Sequence, residues 1–184
     1  LDDNKFIIGS FQRDTEGFDL ATPKLAKGPD VFVDVVAEFN RHKKFDVEVL
    51  LAGWRRQYVI KRLNDLKIPF RYFDRPTDDI VNVLYNALNL YVVGSRCEGG
   101  PQAVVECAAT QTPILSTAVG IAEDVLGKAD VSPHIFTISA ECRYPKITER
   151  IKHMDTNANF NTVMDNFMMN GMDPFMRLFT RICK

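Results

Sequence analysis

V-V-G-S-R-C-E-G-G-P-Q-A-V-V-E-C-A-A-T-Q-T-P-I-L-S-T-A-V-G-I-A-E, from Val92 to Glu123, decides the fold. It reads as the end of a buried strand (Leu90 to Val93), a glycine loop, a helix and a second short strand (Ile114 to Ser116). Pro101 suits the first turn of that helix, where its missing N–H is not needed. The helix then runs through Gln102, Ala103, Val104, Val105 and Glu106 towards Thr110. A helix N-terminus exposes unpaired N–H groups and a partial positive charge, and anions collect there. Gly99 and Gly100, just before it, let a ligand approach the backbone closely. Two carboxylates bracket the turn. Glu98 on the loop could accept hydrogen bonds from sugar hydroxyls, and Glu106, about a turn and a half into the helix, could grip the paired hydroxyls of a ribose. Either acid would repel a phosphate, so each has to face hydroxyls to help.

Working outward, the chain alternates strands and helices. Lys5 to Ser10 (K-F-I-I-G-S) reads as the first buried strand of a parallel sheet. A polar loop of nearly twenty residues follows, from Phe11 to Pro29, long enough to suggest a function. Asp30 to Phe39 has apolar residues at helical spacing, with Asp30 as a candidate cap; its valines disfavour a helix, and its place between two strands decides for one. Val47 to Ala52 is the second strand, closed by Gly53, after which Trp54 is expected to pack. Arg55 to Leu66 is a basic helix and Phe70 to Phe73 the third strand. Thr77 caps a helix whose apolar face is Ile80, Val83, Leu84 and Ala87. Ile135 to Ile138 is the last strand. Helices are expected over Glu141 to His153, broken by Pro145, and over Asn161 to Asn170 and Pro174 to Cys183, with Met164, Phe167, Met168, Phe175 and Phe179 as core. The fold class is therefore α/β, a Rossmann-like, mainly parallel sheet with helices on both faces. One domain over 1–184 is expected, with a core of about 5–140 and C-terminal helices over about 141–184.

Composition removes several classes of function. The 184 residues carry a net charge of −1, so no basic field points to nucleic acid. No apolar run is long enough to span a membrane. Cys97, Cys107, Cys142 and Cys183 form neither a C-x-x-C pair nor a zinc spacing. They read as reduced thiols, and the expectation is a cytoplasmic chain. His42, His134 and His153 have no partners at metal-ligand spacing.

The stretch from Val92 to Glu123 resembles the donor-site signature of retaining GT-B glycosyltransferases of the large fourth sequence family. That pattern sets two glutamates with seven residues between them inside S-x-x-E-G-x-x-x-x-x-x-E-A-M-A-x-G-x-P-V. Here it stands as Ser95, Glu98, Gly99, Glu106, Ala108, Ala109, Pro113 and Ile114, and Gly120 to Glu123 fits G-G-x-x-E. Gln111 replaces the usual glycine and Cys107 the commoner alanine. Neither is expected to face a ligand. The resemblance covers about Phe6 to Gly127.

The resemblance implies the donor-binding domain of an enzyme that moves a sugar from a nucleotide-sugar to an acceptor hydroxyl. Arg13 and Lys27, the latter before Gly28, look like the family's diphosphate ligands. They are wider apart than usual, so the loop carries an insertion and Lys24 competes with Lys27. Glu98, Arg13 and Lys27 are the implied catalytic set. Ser10, Arg75, Gly99, Gly100, Pro101, Gln102, Ala103 and Glu106 are the implied nucleotide-binding set. Arg75 could stack on the base or reach a phosphate; it could equally pair with Asp78 or Asp79. No metal or other cofactor is expected beyond the UDP- or GDP-sugar donor. The implied partner is an N-terminal acceptor-binding domain missing from this chain, the route to any peripheral membrane contact. A stand-alone nucleotide-sugar-binding module without turnover is the alternative reading, and an epimerase or hydrolase on the same fold a third.

Overall fold

A computed structural model of the chain describes residues 5–42, 45–138 and 147–169. Strand β1 (Lys5–Ser10) is followed by the long loop and a 3-10 turn at Leu25–Lys27. Helix α1 (Pro29–His42), β2 (Asp46–Ala52), α2 (Gln57–Asp65), β3 (Phe70–Phe73) and α3 (Asp78–Asn86) come next. They lead to β4 (Leu90–Val93), α4 (Gln102–Thr110), β5 (Ile114–Thr117), α5 (Ala122–Leu126) and β6 (Ile135–Phe136). A short α6 (Ile147–Arg150) runs into a 3-10 turn at Ile151–His153, and α7 (Thr156–Met169) ends the described chain. The helix expected over 174–183 lies outside the described residues.

All six strands are parallel, in the order β3-β2-β1-β4-β5-β6. The expected Rossmann-like α/β fold is the observed one. Parallel strands bury both faces, which is why they read as continuous apolar runs rather than alternating ones. Ile8, Leu51, Leu90 and Val92 pack on one face under α1 and α2. Leu50, Tyr91, Val93 and Ile114 pack on the other with residues of α3, α4 and α5 and with Val163 of α7. Helix α1 shows tertiary packing overriding propensity: Val31, Val33, Val35 and Val36 are all at most 1% exposed.

Four local expectations need correction. Asp30 does not cap α1, because Pro29 opens the helix and the Asp30 carboxylate is gripped by the Arg96 guanidinium at 2.8 and 2.6 Å. The apolar face of α3 is rotated: Leu84 and Tyr85 are buried, whereas Ile80 and Val83 stay exposed. Thr77 stands at the N-cap of α3 without a capping side-chain bond. Trp54 is not packed in the core but 53% exposed. Of the aromatic and methionine residues expected as late core, Met164 is half-buried, and the other side chains lie outside the described residues.

Strand order reverses between β1 and β4, and ligands of open α/β sheets bind beyond the carboxyl ends of the strands at such a point. The loops after β1 and β4 meet there through their backbones. The Arg96 and Cys97 N–H groups both donate to the Ala26 carbonyl, at 2.9 and 3.3 Å. Gly28 lies at φ +59°, and a Cβ there would stand 1.8 Å from the Gly94 carbonyl oxygen. Gly120 does the same from the β5 side: at φ +51° it packs on the Gly99 carbonyl, 2.4 Å from where its Cβ would be. The glycine loop is therefore held from both flanks.

Gly28→Ala combines a left-handed backbone, costing about 1–2 kcal/mol without glycine, with a main-chain collision. It should lower stability by about 2–4 kcal/mol, read as a fall in the urea midpoint. Gly99→Ala, where nothing lies within 4 Å of the added Cβ, should stay within about 0.5 kcal/mol of wild type in the same measurement.

Candidate functional site

A cleft of about 720 Å³ opens beyond the carboxyl ends of β1, β2, β3 and β4. Its floor is aromatic. Phe11, Tyr85 and Tyr91 form a cluster with ring centroids 4.8 to 5.3 Å apart, and the Tyr91 hydroxyl accepts the Phe11 N–H at 2.8 Å. That bond ties the start of the long loop to β4, so the loop leaves β1 at a defined angle.

One wall carries cations. Arg13, Lys24 and Lys27 line it, all from the loop after β1. Arg13 donates through Nε to the Thr15 carbonyl at 2.8 Å, and its guanidinium lies 5.4 Å from the centre of the Trp54 ring. Burial at the wall pulls the Lys27 ammonium below its ordinary pKa, and the charge of Lys24 adds to the effect. Both lysines reach the cleft, so the competition between them stays open.

The loop itself rests on a buried charge pair. Asp14 lies 3.6 Å from Arg56, and both are at most 2% exposed. Asp14 also accepts the Val59 N–H at 3.1 Å, and its own carbonyl accepts Lys24 N–H at 2.8 Å. Arg56 donates to the Ser10 hydroxyl at 3.2 Å. Ser10 is thus a buried prop beneath the loop and does not line the cleft, unlike the other sequence-predicted site residues.

The facing wall is the glycine loop and the start of α4. Glu98, Gly99, Gly100, Pro101, Gln102, Ala103 and Glu106 all line it. Glu98, its side chain only 6% exposed, forms an ion pair with Lys27 across the cleft. The first-turn N–H groups of α4, at Gln102 and Ala103, have no carbonyl one turn back, while Val104 N–H bonds the Pro101 carbonyl at 2.9 Å. Neither Gly99 nor Gly100 has a positive φ, and a Cβ at either would meet no atom of the chain within 4 Å. Deeper in, the Tyr85 hydroxyl donates to Glu106 Oε2 at 2.6 Å. Burial raises the Glu106 carboxyl above its ordinary pKa, the Tyr85 hydrogen bond opposes that, and the charge of Asp78 adds to it. A carboxyl shifted by burial inside a cleft is a candidate functional group.

At the rim, Arg75 lines the cleft at φ +46° and pairs with Asp74 at 3.3 Å. Its observed partner is thus the preceding residue rather than Asp78 or Asp79. Glu123 of the G-I-A-E stretch accepts the Ala129 N–H at 2.8 Å and organises the following turn. His134 is a core group, bonded to the Ile114 carbonyl and Asn159. Phe11, Gln12, Tyr85, Tyr91 and Asp78 are cleft residues that sequence reading missed. The position of Phe11 and Gln12 directly after β1 was a usable signal. Both tyrosines are nearly fully buried and line the cleft from beneath. Among the described residues no helix is long and apolar enough to cross a membrane.

The family model described as Glycosyl transferases group 1 matches residues 20–138. No curated protein matches the chain. Several solved structures share its fold. HepE of Anabaena, solved with UDP-glucose, is 14% identical with a TM-score of 0.65, covering 98% of this chain and 49% of that one. A glycosyltransferase of Rickettsia africae is 21% identical with a TM-score of 0.67, covering 98% and 48%. The catalytic domain of the cholesterol-alpha-glucosyltransferase of Helicobacter pylori is 13% identical with a TM-score of 0.64, covering 88% and 98%. The chain spans about half the length of the first two.

A carboxyl with a raised folded pKa supports the fold fully only below its unfolded value, about 4.3. That support is lost as pH rises through the folded value. Glu106→Gln keeps an acceptor for Tyr85 and removes the charge. Its melting temperature should exceed that of wild type at pH 7.5, at about 2–4 °C per kcal/mol, with the gap closing near pH 4. A gap independent of pH would mean that Glu106 carries no burial strain.

Proposed function

The chain belongs to the glycosyl transferases group 1 family, and on that premise we propose that it is the donor-binding half of a retaining glycosyltransferase. It takes a nucleotide-sugar and, with an acceptor-binding half outside this chain, passes the sugar to an acceptor hydroxyl with its anomeric configuration kept. As the sugar–oxygen bond breaks, its electron pair goes to the nucleoside diphosphate. Arg13 and Lys27, with Lys24 beside them, hold that growing charge together with the N–H groups of Gly100, Gln102 and Ala103. Glu98 orients the sugar through its hydroxyls. Glu106, aimed by Tyr85, holds the ribose. Arg75 stands at the rim for the base. No metal enters this reading, since fixed cations already face the diphosphate.

The observation that carries the reading is the pairing of opposite walls. Cations from the loop after β1 face a helix N-terminus and two carboxylates, which suits a ligand anionic in its middle and hydroxylated at both ends. Gly99 and Gly100 add to it: neither has a positive φ and the space beside each is open, which leaves room for a ligand to lie on the backbone.

The Lys27–Glu98 ion pair gives the site an order of events. A diphosphate competes for Lys27, and the released Glu98 carboxylate then needs the sugar hydroxyls as new partners. Calorimetric titration with UDP, GDP, ADP and their sugar conjugates, with EDTA present, tests the reading. One base should bind saturably without metal, and binding of none would sink it. In Glu98→Gln, free nucleoside diphosphate should bind more tightly, by up to about tenfold, while any advantage of the sugar conjugate over it disappears. Parallel losses for both ligands would remove Glu98 from the sugar.

A further inference from the structure

Trp54, the single tryptophan of the chain, has no place in the core and no catalytic atom to offer. It directly follows Gly53, which lines the cleft at the end of β2, and it is 53% exposed. Two guanidiniums lie on its ring, Arg13 at 5.4 Å and Arg55 at 5.2 Å from the centroid. Five arginines are held by carboxylates, Arg41 by Glu38, Arg56 by Asp14, Arg71 by Glu48, Arg75 by Asp74 and Arg96 by Asp30, whereas Arg55 and Arg150 bond backbone carbonyls and do not line the cleft. Among the described residues, Arg13 is held only by neutral groups, the Thr15 carbonyl and the indole face.

That difference has a chemical meaning. A carboxylate would hold Arg13 in place but would also neutralise it and compete with an incoming anion. An indole face attracts a guanidinium through its quadrupole and leaves the net charge intact. We propose that Trp54 is a positioning residue that aims Arg13 into the cleft with its charge available to the diphosphate of the donor. The inference rests on the donor reading above. Arg55 also lies against the ring. Its Nη2 bonds the Gly17 carbonyl, which fixes the long loop against the same indole. Arg13 is then confined between Thr15 and Trp54 while it lines the cleft.

The test uses the whole chain, pyrophosphate, UDP and uridine. Trp54→Leu should weaken pyrophosphate and UDP binding by calorimetry by about five- to tenfold and leave uridine unchanged. Trp54→Phe, which keeps a ring face, should recover most of that loss. Arg13→Ala should cost as much as the double variant, since Trp54 acts through Arg13. As the only tryptophan, Trp54 also reports directly. Saturating UDP should change its emission in wild type, and that change should vanish in Arg13→Ala while calorimetry still shows binding. An exposed ring contributes little to the core, so the melting temperature of Trp54→Leu should stay near that of wild type. Two results overturn the inference: unchanged UDP affinity in Trp54→Leu beside a loss in Arg13→Ala, or a fall for uridine that parallels UDP. If wild type binds neither pyrophosphate nor UDP, the donor reading itself fails, which the variants alone could not show.

Discussion

The structure depends on one close backbone approach. Gly28 and Gly94 bring the loops after β1 and β4 so near that a Cβ on Gly28 would stand 1.8 Å from the Gly94 carbonyl oxygen. These strands are neighbours at the reversal of strand order, where the sheet leaves a crevice that two separate loops have to line. If the loops stood further apart, Lys27 could not face Glu98, and the cations and carboxylates would belong to different surfaces. The contact is reinforced by Arg96, which bonds the Leu25 carbonyl and grips Asp30 through two nitrogens. Asp30 therefore does more for the site as an anchor than it could as a helix cap, and its place in the first turn of α1 still favours the helix dipole.

A second constraint acts from below. The loop after β1 is long and polar, and such segments do not order themselves without partners. Asp14 and Arg56 supply them at the cost of burying two charges. Burial pushes the Asp14 carboxyl up and the Arg56 guanidinium down, and each pulls the other back. Several of their polar atoms have no hydrogen-bond partner. A pair buried in that way is weak evidence for stability, but it specifies geometry, because breaking it would leave one charge alone in the core. What it specifies here is the path of the loop: Lys24 N–H bonds the Asp14 carbonyl, so the buried pair sets where the chain turns back toward the cleft.

Sequence periodicity made the sheet legible because its inner parallel strands bury both faces and read as apolar runs; Leu90–Val93 needed no correction. The two carboxylates and the glycine loop were legible because the helix N-terminus between them restricts what the stretch can do. Lone residues were less so. Ser10 ends a strand beside the crevice, and only the tertiary position of Arg56 decides that its hydroxyl points down rather than out. Ile80 and Val83 fit a helical stripe, but the short α3 meets the sheet on its Leu84 and Tyr85 side. Gln111, where glycine is usual, stands at φ +55° as the residue closing α4. The departure costs backbone strain at the helix end and leaves the cleft untouched. Pairings such as Lys27 with Glu98 or Arg13 with Trp54 join residues on separate loops, and no local pattern encodes them.

The charges in the cleft follow a common logic. Outside it, Arg41, Arg56, Arg71 and Arg96 are neutralised by carboxylates, which suits residues that only hold elements together. Within it, Lys27 has a carboxylate partner that a ligand can displace, and Arg13 has a neutral one that need not be displaced. The two cations therefore differ in kind. Arg13 offers a standing positive charge to any anion that arrives, whereas Lys27 yields its charge only when a competing anion leaves Glu98 with a better partner than an ammonium. Hydroxyls at the correct distance are such a partner, and water is always a poorer one at a carboxylate only 6% exposed. A ligand with a diphosphate but no sugar meets the first cation freely and the second at a cost. A ligand with both satisfies the whole set. On the proposed donor reading, selectivity for the complete donor over its diphosphate fragment would rest on how Lys27 is held before anything binds and on the sugar hydroxyls that replace it at Glu98.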